Sequence, residues 1–161
     1  MAGGNDKAVR EHLHYLLNGG GAHATFDAAI KGLPVAMRGK RPEGAAHSPW
    51  EIVEHMRIAQ WDILEFSRDP KHNSPDWPGG YWPKTQAPPN NTAWNKSVKA
   101  FQSDLRAMCQ LVGDESTKLY SRIPHGEGQT VLREALLVAD HNAYHLGELV
   151  LVRRLLGAWN T

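Results

Sequence analysis

Apolar residues recur with a helical period in several stretches of this chain, separated by glycine- and proline-containing breaks. From about Asp6 to Asn18 the residues Val9, Leu13, Leu16 and Leu17 follow that period, and Gly19-Gly20-Gly21 stops it. A shorter piece runs from about Ala24 to Lys31, with Phe26 and Ile30 four apart, and ends at Gly32 before Leu33-Pro34. After a loop from Val35 to His47, Ser48-Pro49-Trp50-Glu51 opens a long helix: Ser48 caps it, Pro49 suits its first position and Glu51 completes a capping box. That helix is predicted to reach about Ser67, with Ile52, Met56, Ala59, Ile63 and Phe66 on its inward stripe and His55 on the flank. The segment from Arg68 to Asn91 holds six prolines with Trp77, Tyr81 and Trp82 and cannot be regular structure; it is either a lid over one end of the helices or a loop that plugs exposed core. Asn91-Thr92 then caps a helix from about Ala93 to Val112, ending at Gly113, with Phe101, Leu105, Met108 and Val112 inward. A last helix runs from about Val131 to Leu156, capped by Thr130 and stopped at Gly157. The expected fold is all-α, a four-helix bundle in which residues 1–161 form a single domain.

Charge and cysteine content narrow the classes. Lys and Arg total 18 against 17 Asp and Glu, and a net charge of +1 gives no field for steering towards nucleic acid. Arg38, Lys40 and Arg41 cluster in a loop and Arg153-Arg154 near a helix end can complement its dipole; both clusters read as solvated faces. With no secretory signal and no run of about 18 apolar residues, the expectation is a soluble cytoplasmic protein that engages no membrane. The single Cys109 sits beside an apolar stripe and reads as a small core residue, not a nucleophile.

The candidate chemistry lies in Asp140-His141-Asn142-Ala143-Tyr144-His145-Leu146-Gly147-Glu148. Histidines four apart stack on one helix face with β-carbons about 5 to 6 Å apart, close enough to share one metal ion. Val138, Leu149 and Val152 share their stripe, so the pair should face inward, where it needs either hydrogen-bond partners or a metal. His55 supplies the third imidazole that a catalytic-type zinc site requires. His12 and His14 read as surface residues, and His125 lies too far before His141 to join it. A carboxylate-bridged di-iron centre needs Glu-x-x-His on two helices, but Ile52, Val138 and Asn142 stand three residues before the three histidines. A His-Glu-x-x-His protease needs its glutamate where this chain has Asn142. What remains is a mononuclear site of three histidines from two helices, with open positions for water or substrate. Glu51, Asp140, Asn142, Tyr144 and Glu148 are the candidates to hold the ligands' other ring nitrogens, and no catalytic residue is assigned.

The pairing of Ser48-Pro49-Trp50-Glu51-Ile52-Val53-Glu54-His55 with Asp140-His141-Asn142-Ala143-Tyr144-His145-Leu146-Gly147 resembles the DinB-like superfamily, also called the DinB/YfiT bundle. The resemblance covers nearly the whole chain. It implies a four-helix bundle with a long crossover, often a homodimer, and a divalent metal, zinc or nickel, on three histidines that by position are His55, His141 and His145. The segment Pro124-His125-Gly126-Glu127-Gly128-Gln129-Thr130 also looks typical of one branch, with no role attached. Some members of the family are thiol S-transferases using bacillithiol, mycothiol or glutathione, and some are mycothiol-dependent isomerases. The resemblance therefore implies a small-molecule substrate, a low-molecular-weight thiol among the options.

Three readings stay open at this level. The first is a metal-dependent enzyme, with S-transfer from a thiol to an electrophile ahead of hydrolysis. The second is a non-catalytic metal- or small-molecule-binding stress protein whose Trp77 to Trp82 loop closes the site. The third is a structural bundle whose histidines are satisfied core residues. Trp50, Trp61, Trp77, Trp82 and Trp94 offer aromatic surface for a pocket.

Overall fold

The protein is described by a computed structural model covering residues 2–19 and 21–159; the middle glycine of the Gly19-Gly20-Gly21 stop lies outside the described residues. The helices are α1 (Ala2–Leu17), α2 (Phe26–Ile30), α3 (Pro49–Arg68), α4 (Asn91–Gly113) and α5 (Val131–Leu155), and no strand occurs among the described residues. Single 3-10 turns lie at Val35–Met37 and Gly79–Tyr81. The long helices α1 and α3 each pack against both α4 and α5, while α2 rests on α5.

Side-chain caps explain where the helices begin. Ser48 Oγ accepts from the Glu51 amide while the Glu51 carboxylate accepts from the Ser48 amide, so two otherwise unpaired donors at the start of α3 are satisfied together. Thr130 caps α5 by accepting from the Arg133 amide. The cap of α4 is Asn90, which accepts from the Ala93 amide, and not Asn91-Thr92; both of those residues are already inside the helix. Past the end of α5, Gly157 takes a positive φ of 66° and the amides of Gly157 and Ala158 turn back onto Arg154 and Arg153, as a left-handed glycine terminus requires.

The apolar interior divides into two halves. One gathers Ile52, Met56, Phe101, Leu149 and Val152 between α3, α4 and α5. The other gathers Leu13, Leu64, Met108, Val112 and Val138. Between them runs a polar layer: Asn142 Nδ2 donates to Gln60 Oε1 at 2.9 Å and Gln60 Nε2 donates to the Phe101 carbonyl at 2.7 Å. On both α3 and α5 the histidines lie within a turn or so of this layer.

Several local expectations change. Leu16 is exposed, because α1 turns the i, i+4 line of Val9, Leu13 and Leu17 inward and leaves Leu16 about 100° away. Leu64 is fully buried where Ile63 and Phe66 are only partly so; α3 presents Phe66 to His125, whose ring packs edge-on at 5.4 Å and whose Nε2 donates to the Phe66 carbonyl at 2.7 Å. The Pro124–Thr130 segment thereby caps the last turn of α3. Arg153 is not part of a solvated face: it is 3% exposed and donates to the carbonyls of Ala29, Lys31 and Ala158, binding the end of α2 to α5. In the other cluster Arg38 lies over the Trp94 ring and Arg41 pairs with Glu51, leaving Lys40 exposed. Cys109 is buried in the second apolar half, and burial pushes its thiol up.

Candidate metal centre

Three ring nitrogens converge where α3 faces α5. His55 Nε2 lies 3.1 Å from His145 Nε2 and 3.1 Å from His141 Nε2, and one ligand atom from each residue lies within 4.8 Å of every other. Zinc–nitrogen bonds of about 2.05 Å at a tetrahedral angle set nitrogens about 3.4 Å apart, so the spacing is close to that of a common metal ion. His55 and His145 are buried, at 6% and 7% exposure, and His141 is half-buried.

Two of the rings have their tautomer set by what holds them. His55 Nδ1 donates to the Tyr81 carbonyl at 2.8 Å, so its Nε2 carries a lone pair. His145 Nδ1 donates to Glu148 Oε2 at 2.9 Å, so its Nε2 carries another. Two lone pairs therefore face each other at 3.1 Å. The remaining N–H on His141 can satisfy only one of them, and His141 Nδ1 itself has no partner among the described residues. Donors turned outward and acceptors turned inward are the pattern of metal-ligating histidines. Burial, and then repulsion from His145 and His55, pushes His141 down to about 4; burial also lowers His55. His55 and His141 are thus held neutral at physiological pH, as metal binding would require. The residues fit a divalent cation, and the three histidines could hold one.

Support for these rings comes largely from outside α3 and α5. Glu148 uses both oxygens, accepting from His145 Nδ1 and, at 2.9 Å, from His47 Nδ1. Burial would raise its carboxyl, but the hydrogen bonds from His145 and His47 outweigh it and hold Glu148 below the usual carboxylate range. Trp82 lies flat against His55, ring centroids 3.8 Å apart and planes 2° from parallel, and His47 also stacks on Trp82, at 4.0 Å. The segment 69–90 thus delivers a carbonyl and an aromatic plate to the same histidine.

The remaining candidates separate. Asn142 serves the polar layer, Tyr144 is exposed with its ring edge-on to His145, and Asp140 is exposed. Glu51 is occupied by the cap of α3 and by Arg41. His12, His14 and His125 are exposed and take no part in the cluster. Of the five tryptophans offered for a pocket, only Trp82 reaches the histidines; Trp50 and Trp94 are core, Trp61 packs on His72, and Trp77 is 80% exposed. Sequence reasoning passed over His47, which carries no periodic signal, and left Glu148 undirected, although its i+3 position from His145 places it on the same helix face.

No curated protein and no solved structure matches the chain. Residues 21–149, well over half of its length, match the sequence model of the DinB superfamily. This chain, with its all-helical fold and its three histidines gathered at one point, belongs to the DinB superfamily.

Proposed function

We propose that the protein is a metal-dependent enzyme whose mononuclear site is formed by His55, His141 and His145, and that it catalyses S-transfer, in which an intact low-molecular-weight thiol loses its proton and its sulfur bonds to an electrophilic small molecule as that molecule's leaving group departs. The observation that carries the metal site is the meeting of two Nε2 lone pairs at 3.1 Å, each turned inward by an outward hydrogen bond. Zinc or nickel bound there would favour a thiol as thiolate at neutral pH, raising the concentration of the nucleophile. The chain's own residues supply the rest: Tyr81 and Glu148 orient two ligands, Trp82 keeps water from one face of His55, and half-buried His141 leaves an approach from solvent.

Thiol transfer stands ahead of hydrolysis because the nearby acids are occupied. A hydrolase needs a base to take a proton from water, yet both oxygens of Glu148 accept from imidazoles, Glu51 is committed to a cap and an ion pair, and Asp140 points to solvent. A non-catalytic binding role is supported by the tight stacking of Trp82 on His55, which covers part of the site.

The same reading takes residues 1–161 as one domain, a four-helix bundle of DinB/YfiT type with residues 69–90 as its crossover. It also takes the protein as a homodimer. Supporting that, Leu137, Tyr144 and Leu151 recur every seven residues on the exposed side of α5, with Leu155 one turn on. Neither nucleic acid nor a membrane is a partner in this reading; the net charge is +1, and no helix among the described residues is long and apolar enough to cross a membrane.

Elemental analysis of purified protein, beside His55→Ala, His141→Ala and His145→Ala, tests the metal. One ion per chain in the wild type and none in the variants is expected; a wild type that stays empty after incubation with zinc and nickel refutes the site. Glutathione and related thiols added to the cobalt-loaded protein test the substrate class. A changed visible spectrum is expected, and an unchanged one removes the transferase reading in favour of the binding role.

A further inference from the structure

We propose that Asp62 is a positioning residue for His55: by holding the Tyr81 side chain it places the Tyr81 carbonyl so that His55 keeps its proton on Nδ1 and turns a bare Nε2 towards His141 and His145. The functional meaning rests on the metal-site reading above, but the tautomer of His55 can be measured without any metal.

Asp62 is a carboxylate at 7% exposure, seven residues and hence two turns beyond His55 on the same face of α3. A charge buried that deeply needs strong partners. Both partners come from the 69–90 segment. His72 Nε2 donates to Oδ1 at 2.7 Å and the Tyr81 hydroxyl donates to Oδ2 at 2.6 Å, while Trp61 closes over His72 edge-on at 5.0 Å. Burial, together with the hydrogen bond to Asp62 and its charge, pushes the Tyr81 hydroxyl up to about 12, so it remains a donor at any physiological pH.

The same tyrosine faces both ways. Its side chain ends on Asp62, its carbonyl accepts from His55 Nδ1 at 2.8 Å, and the next residue, Trp82, lies flat on the His55 ring. A neutral imidazole has one N–H, so fixing it on Nδ1 frees Nε2 as an acceptor. If the carbonyl drifts, the proton can move to Nε2, where it stands in the ligand position. The rest of the segment has its own anchor: Ser48 Oγ donates to the Gln86 carbonyl at 2.6 Å and Gln86 Nε2 donates to the Gly39 carbonyl at 2.9 Å. Cutting the Asp62–Tyr81 bond therefore loosens the stretch around Tyr81 without releasing the whole connection.

The test uses the full chain with nitrogen-15-labelled histidine, free of metal, with His55→Gln to assign the His55 signals. In the wild type, His55 should be in the Nδ1–H form alone. Tyr81→Phe, which deletes one oxygen, and Asp62→Ala should both populate the Nε2–H form, while Asp62→Asn, whose one amide oxygen accepts from the Tyr81 hydroxyl and whose NH2 donates to His72 Nε2 once that ring carries its proton on Nδ1, should keep the wild-type pattern. Zinc affinity by chelator competition should fall about tenfold in Tyr81→Phe and recover in Asp62→Asn. A Tyr81→Phe protein with His55 wholly in the Nδ1–H form overturns the proposal, whatever its melting temperature. If Asp62→Ala does not fold, Tyr81→Phe decides alone. If the wild type takes no zinc, the metal-site reading fails and the tautomer populations still decide this one.

Discussion

Replacing Glu148 with glutamine probes the site through a group that does not itself join the converging nitrogens. The carboxylate accepts from His145 Nδ1 and His47 Nδ1, both at 2.9 Å. A glutamine has one acceptor oxygen and one donor NH2, so it can satisfy only one of those two N–H groups; the other imidazole must shift its proton or lose its partner. If the shift falls on His145, its Nε2 gains a hydrogen and ceases to be a ligand. If it falls on His47, His145 still exchanges a charge-assisted bond for a neutral one, a loss of about 1 kcal/mol. Between these limits zinc affinity should fall about 10- to 100-fold, equivalent to about 1.4 to 2.7 kcal/mol.

Isothermal titration of zinc into Glu148→Gln and the wild type, in a buffer with a competing chelator, gives that number directly. The circular dichroism spectrum should be unchanged, because α5 gains no helix-breaking residue. His47→Ala should show the smaller loss, since Glu148 then retains its bond to the ligand. Affinity in Glu148→Gln within about twofold of wild type would show that the carboxylate does not set the state of His145, and the tautomer argument for the site would fall with it.

Three other outcomes follow from the same contacts. In metal-free protein, His141 titrates at about 4 when folded and 6.5 when unfolded, so the unfolded chain binds the proton first and stability drops as pH falls through that window; urea denaturation should give about 2 kcal/mol less at pH 5 than at pH 7, a difference largely removed in His141→Leu. Arg153→Met strips donors from the carbonyls of Ala29, Lys31 and Ala158 and should cost about 3 kcal/mol in urea unfolding, with zinc stoichiometry retained because the histidines lie two or more turns away; a loss under about 0.5 kcal/mol would show that the interior arginine is incidental. Leu151→Glu puts a charge in the exposed apolar line of α5 and should convert a dimer to monomer in analytical ultracentrifugation, whereas a wild type that sediments as a monomer at high micromolar concentration rules the dimer out.

What could be read from the chain alone was what repeats or sits close by. The cap at Ser48, the stripe shared by Val138, Leu149 and Val152, and the i, i+4 pair His141 and His145 are each encoded within a few residues, where helix geometry fixes which side chains share a face. Leu16 and Ile63 show the limit of that logic: both obey the period, but a helix can roll by part of a turn and choose a neighbouring line as its buried one. Arg153 shows another. Its position in the last turn of α5 gave a sufficient local reason for a cation, so nothing in the neighbouring residues asked for the carbonyls of α2, more than 120 residues earlier. The groups that orient the histidines are of this second kind. Glu148 was within reach of the i, i+3 rule, but His47, Asp62 and the Tyr81 carbonyl act across 101, 19 and 26 residues respectively, and one of them is a backbone atom that every residue possesses. A cluster of histidines can therefore be legible while its support is not. Ligands must be particular side chains at particular spacings, whereas the groups that set a tautomer need only present an acceptor at the right place, and loops can bring one from anywhere in the chain.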